Sequence, residues 1–201
     1  MGSIGYDDIE TPIATGSDIL GGSAVHAGVS SSFHLPEAPD GLRRVGLVAP
    51  IGLDLSDSDK SKLEGLGIDF SGVEKLPGKT FRWSGRYSGT MENVETISTE
   101  VNVLGDFSPV IPDSWISPNV LLCANTHPAS QVLVLDQCPS SEITAIDTFM
   151  LWIETEFEAL SSALRKADLA ILNEEEVCAI SGEDFFMKAI EPILSGACLH
   201  G

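Results

Sequence analysis

Short apolar runs alternate with longer mixed segments along the chain. Runs at residues 4–6, 44–49, 120–124, 143–147 and 169–173 predict strands. Residues 22–33, 57–66, 129–137, 153–166, 174–181 and 185–194 between and after them predict helices. β-branched or Leu-rich runs that each lead into a helix are the pattern of βαβ units, with a parallel sheet covered on both faces. One stretch breaks the pattern. Residues 79–83 and 96–104 read as strands, the second alternating in its first part. A small β-sheet inserted at about 70–105, closing over a pocket as a lid, is the simplest reading.

The ends are unlike those of a complete parallel sheet. Met1, Ile4 and Tyr6 are the only large apolar residues for a first strand, and after the helix at 185–194 the chain reaches Gly201 with no return strand. The expectation is one incomplete domain over 1–201, since 201 residues suit one domain better than two.

Composition narrows the partners. Eleven Lys and Arg against 30 Asp and Glu leave a net charge of −19, which repels phosphate backbones and anionic lipid. Nucleic acid and membrane are therefore not expected as partners. A 43% hydrophobic content excludes a disordered acidic tail. No basic and apolar leader opens the sequence, and its longest apolar stretch, 45–53, is interrupted by Gly46, Pro50 and Gly52. Cys123, Cys138, Cys178 and Cys198 show no C-x-x-C spacing and read as reduced thiols, so the cytoplasm is the expected compartment.

Several short motifs carry candidate chemistry. Gly78-Lys79-Thr80 lacks the glycine a phosphate loop requires at Val73 and opens a strand where such a loop opens a helix, so it is not a phosphate loop. Gly21-Gly22 precedes a helix, where glycines admit close backbone approach and free N–H groups face a ligand. A tight turn explains the pair equally well. Asp7-Asp8 follows the first predicted strand, a position for hydrogen bonds to hydroxyls or for capping a loop. Asn173 and Glu176 lie one turn apart after a strand. That spacing is ordinary helix capping, and it also suits a carboxylate near hydrated Mg²⁺ and nucleotide phosphates. Asp147 ends another strand and has the same two readings.

The order of these motifs decides more than any one of them. Gly2-Ser3-Ile4 with Asp7, Gly21-Gly22-Ser23-Ala24, Ile51-Gly52-Leu53-Asp54, a β insertion opening at Gly78-Lys79-Thr80, Asp147 and Asn173-x-x-Glu176 together resemble the PfkB, or ribokinase-like, family of carbohydrate and nucleoside kinases. The resemblance spans essentially the whole chain. It implies a three-layer α/β sandwich with a mostly parallel central sheet and a small β-sheet lid, C-terminally truncated, the lid often serving as a dimer contact. It implies ATP-dependent phosphorylation of a sugar or nucleoside hydroxyl with Mg²⁺. Asp7, Gly21 and Gly22 would contact the acceptor, Asn173 would face ATP, Glu176 would organise the metal, and Asp147 would lie near the phosphates. His26 stands where many members carry Asn, and Met150 where many carry Asn after Asp-Thr. The family's Gly-Ala-Gly-Asp-like motif, with its catalytic Asp, has no counterpart in the 201 residues. The alternative is accordingly a non-catalytic sugar- or nucleoside-binding or dimerisation fragment.

Overall fold

The computed structural model describes residues 1–35, 45–105 and 107–199, so residue 44 of the predicted strand 44–49 lies outside the described residues. The chain forms two compact units, residues 2–107 and residues 108–201 with Met1.

In the first unit β1 (Gly5–Glu10), β2 (Thr15–Gly21), β5 (Phe81–Ser88) and β6 (Asn93–Glu100) form a sheet in the order β2-β1-β5-β6. β1 runs antiparallel to β2 and parallel to β5, and β5 runs antiparallel to β6. β3 (Val45–Ile51) and β4 (Ile68–Lys75) form a separate parallel pair. Helices α1 (Ser23–His34) and α2 (Asp57–Gly65) connect these strands. Ile4, Val25, Leu47, Leu63, Ile68 and Phe70 anchor the shared core. Ser56 caps α2 by accepting from Asp59 N–H, with Asp57 and Asp59 in the first turn, where acids favour a helix N-terminus.

The small sheet thus draws on two stretches of chain. Residues 5–10 and 15–21 supply half of it, while 68–75, placed partly in the insertion by the sequence, pairs with β3. The predicted strand 96–104 stops at Glu100. Asn102 takes a positive φ of 49°, its side chain donates to Thr80 O, and a short 3-10 turn (Asn102–Leu104) buries Val103.

The second unit holds a three-stranded parallel sheet, β7 (Val120–Cys123), β8 (Ile143–Asp147) and β9 (Leu169–Ile171). Its helices are α3 (Pro128–Gln137), α4 (Met150–Thr155), α5 (Phe157–Lys166), α6 (Glu174–Ser181) and α7 (Phe186–Leu194). The helix expected over 153–166 is two helices. Thr155 Oγ donates back to Leu151 O at 2.7 Å, a bond that bends helices, and Glu156 leaves helical geometry with φ −133°. β9 ends at Ile171 because Asn173 is drawn into the N-cap of α6. All four cysteines are free, and burial pushes the Cys123 thiol up to about 11. Among the described residues no helix is long and apolar enough to cross a membrane.

Candidate functional site

The structure brings Asp7, Gly21 and Gly22 together in the first unit. β1 and β2 place Gly5 opposite Gly21 and Asp7 opposite Ile19. The Asp7 carboxylate rests on Gly21, where any β-carbon would collide with it. Gly22 takes φ +98°, a conformation side chains disfavour, and a β-carbon there would lie 2.5 Å from Ser3 O. That turn delivers the chain into α1. Ser3 and Ser23 clasp each other, Ser3 N–H donating to Ser23 Oγ at 2.9 Å and Ser23 N–H to Ser3 Oγ at 3.0 Å, while Ala24 N–H donates to Ser3 O. The glycines are therefore required by the turn and also by the placement of Asp7. Burial raises the Asp7 carboxyl above its ordinary range; the nearby His26 opposes that shift and Asp8 adds to it.

Gly78-Lys79-Thr80 is a structural clasp. Thr80 is fully buried; its N–H and its hydroxyl both donate to Asp54 Oδ1 at 2.7 Å, and its Oγ accepts from Gly52 N–H at 3.0 Å. Leu53 N–H donates to Gly78 O. A β-carbon on Gly52 would collide with the main chain of Lys79 and Thr80. Burial opposes ionisation of Asp54, but the two Thr80 bonds, Asp54's own N–H and Arg82 outweigh it and hold the carboxyl below its usual range. The Ile51-to-Asp54 and Gly78-to-Thr80 motifs are two halves of one contact.

The second unit holds Asn173, Glu176 and Asp147. Asn173 Oδ1 accepts from Glu176 N–H at 2.9 Å and Glu176 Oε2 accepts from Asn173 N–H at 3.0 Å, a complete capping box. Capping uses one carboxylate oxygen of Glu176. Burial raises Glu176 above its usual range, Asn173 N–H opposes the shift, and Asp147 and Glu175 add to it. Asp147 is likewise raised by burial, against main-chain N–H bonds from Asn125 and Thr148.

The sequence did not single out Gln131 and Asn125. Gln131 is fully buried and its Nε2 donates to the carbonyls of Cys123, Ala124 and Asp147, tying the ends of β7 and β8 together. Asn125 Oδ1 accepts from Trp152 Nε1 at 2.9 Å. A polar amide followed by the apolar run Val132 to Leu135 of α3 was the available signal. Gln131 Oε1 and Thr148 Oγ are buried without a hydrogen-bond partner, beside the end of β8. Buried polar atoms are rarely left so, and water or a ligand is the usual partner.

Among the described residues no three His, Cys, Asp or Glu side chains cluster to hold a metal. The Asp147 and Glu176 carboxylates are near enough for their charges to interact, and Mg²⁺ is commonly held by one or two carboxylates with phosphate and water completing the shell.

Compared by sequence, the chain matches no family model and no curated protein. Compared by structure, it is similar to a ribokinase from Giardia lamblia (TM-score 0.75, 16% identity, 96% of this chain and 64% of that one). It is also similar to a nucleoside kinase from Burkholderia thailandensis in complex with inosine (TM-score 0.67, 14% identity, 94% and 66%). A third match is a nucleoside kinase from Methanocaldococcus jannaschii, an archaeal member of the ribokinase family (TM-score 0.66, 12% identity, 96% and 65%). The chain spans about two thirds of the length of these proteins. With parallel β3–β4 and β7–β8–β9, flanking helices and this small sheet, the chain has the ribokinase-like α/β fold shared by sugar and nucleoside kinases.

Proposed function

We propose that the chain serves ATP-dependent phosphorylation of a sugar or nucleoside hydroxyl in the cytoplasm. The observation that carries this reading is Asp7, a half-buried carboxylate laid on Gly21 beside the first turn of α1. A carboxylate accepts hydrogen bonds from two neighbouring hydroxyls and so fixes a polyol in one orientation. Gly21 and Gly22 let the acceptor approach the main chain. Asn173 and Glu176 serve the nucleotide side: Asn173 shapes the start of α6, and Glu176, with Asp147, would hold Mg²⁺. When bound, Mg²⁺ neutralises charge that builds on the transferred phosphoryl group. The partner is a small molecule, and the small sheet supplies a homodimer contact.

The test is transfer of labelled phosphate from γ-labelled ATP, with Mg²⁺, to D-ribose, D-fructose, inosine or adenosine by the chain extended at its C-terminus to supply the general-base Asp that the resemblance implies. Label in one acceptor, abolished by Asp7→Asn, is expected. Tight acceptor binding with no transfer to any of them contradicts the kinase reading and leaves a binding module.

A further inference from the structure

The four-stranded sheet of the first unit has two unlike faces. Neighbours in register on β1 and β5 point to the same side, and side chains alternate along each strand. One side carries Tyr6, Asp8, Glu10, Arg82 and Arg86 and is closed by charge. Arg82 pairs with Asp18 at 2.6 Å and lies over the Tyr6 ring, and Arg86 pairs with Glu10 at 2.9 Å.

The opposite side carries Asp7 on β1 and Phe81 and Trp83 on β5. Each of these three side chains lies against a glycine, Phe81 through one ring atom, Asp7 through its carboxylate and the Trp83 indole through several ring atoms. A β-carbon on Gly5 would come within 2.6 Å of the Phe81 ring, and β-carbons on Gly21 and Gly85 would collide with the Asp7 carboxylate and the Trp83 indole. Gly5 and Gly21 are cross-strand partners, so the Phe81 ring and the Asp7 carboxylate rest side by side. The indole extends along β5 onto Gly85, two residues further on, a displacement of roughly 7 Å, and its Nε1 donates to Thr96 Oγ at 3.3 Å. Carboxylate and indole lean apart, one toward β2 and the other toward the far end of β5. Asp7 and Trp83 are register partners on neighbouring strands, so both flank the same stretch of this face. This side stays open around them: Ile19 is 42% exposed, Val94 is 54% exposed, and β6 is exposed along its whole length.

We propose that Trp83 is the specificity-determining residue of this face: its indole stacks on a planar π-system joined to the hydroxylated ring that Asp7 holds, so the preferred acceptor is a nucleoside and not a free sugar. The inference rests on the acceptor role of Asp7 given above. An aromatic ring pinned at its edge and resting on a glycine presents one flat outer face at little entropic cost. Stacking on such a face is tolerant of base identity and strong enough to separate ligands with a base from those without.

Titration calorimetry of the full chain with inosine and with D-ribose tests this. Trp83→Ala is expected to weaken inosine binding about tenfold or more, and to leave D-ribose within about twofold. Trp83→Phe, which keeps a ring, is expected to retain most of the inosine affinity. Thermal unfolding checks each variant, and Trp83→Leu replaces the alanine variant if that one does not fold. Equal weakening of both ligands, or of neither, overturns the proposal. If Asp7→Asn abolishes both ligands while Trp83→Ala affects neither, the acceptor role of Asp7 stands and the Trp83 claim falls. A wild-type chain that binds neither ligand overturns both.

Discussion

Glu176 shows how one side chain serves two demands that pull apart. As the last residue of the capping box it stabilises α6, yet the residue is 5% exposed and its carboxylate sits within reach of the Asp147 and Glu175 charges. Its raised native pKa means the folded chain binds this proton more tightly than the unfolded chain. The contribution to stability is therefore greatest below the ordinary carboxylate range and is lost as pH rises through the native value. Glu176→Gln keeps an acceptor for Asn173 N–H without the charge. Its stability relative to wild type is expected to rise as pH increases above about 4, measured by urea unfolding, whereas a pH-independent difference contradicts the raised carboxyl. Glu176→Ala keeps the Asn173 cap but loses the return bond from Asn173 N–H, and is expected to be about 1 kcal/mol less stable than the glutamine variant. Thr80 obeys simpler physics. Thr80→Val leaves Gly52 N–H without its buried acceptor and removes a donor to Asp54, for an expected loss of about 1–3 kcal/mol; unchanged urea stability would show that the clasp is not structural. At this scale the sequence was legible where a residue type admits few explanations, as for the phosphate-loop spacing at Gly78. It was not legible for Gly21, whose role depends on where Asp7 leans, nor for Gln131, whose three carbonyl partners at the ends of β7 and β8 come together only once those strands pair.

Among elements, those with a single clear period were readable. Residues 143–147 and 174–181 have the bounds the sequence assigned. β2 was invisible because Thr-Gly-Ser-Asp carries no apolar alternation, and it is a strand only because β1 pairs with it. The break between α4 and α5 was invisible for a different reason. Ile153, Leu160 and Leu164 keep a helical spacing across it, and the Thr155 hydroxyl bends the chain without disturbing that spacing. β6 lies at the edge of its sheet with Val94 and Ile97 exposed, an arrangement that invites pairing with another strand. If that edge makes the homodimer, Val94→Lys with Ile97→Lys is expected to convert dimer to monomer in sedimentation equilibrium without loss of far-UV ellipticity. A dimer that survives both lysines places the contact elsewhere.

For the whole molecule, a net charge of −19 means self-repulsion in the compact state. Added NaCl screens it over a Debye length of about 10 Å at 0.1 M, so the melting temperature is expected to rise with salt; a fall would mean that the Arg82 and Arg86 pairs outweigh the repulsion. Parallel strands with flanking helices were readable as a fold class because strand and helix periods alternate along most of the chain. The make-up of the small sheet was not, because its strands come from two separated stretches. The account stands or falls on Asp7, and the most direct measurement is calorimetric titration of D-ribose and inosine into the wild-type chain and into Asp7→Asn. Saturable binding of a hydroxylated acceptor by the wild type, reduced at least tenfold in the variant at unchanged melting temperature, is the predicted result. Binding that is equally strong without the Asp7 carboxylate would contradict it.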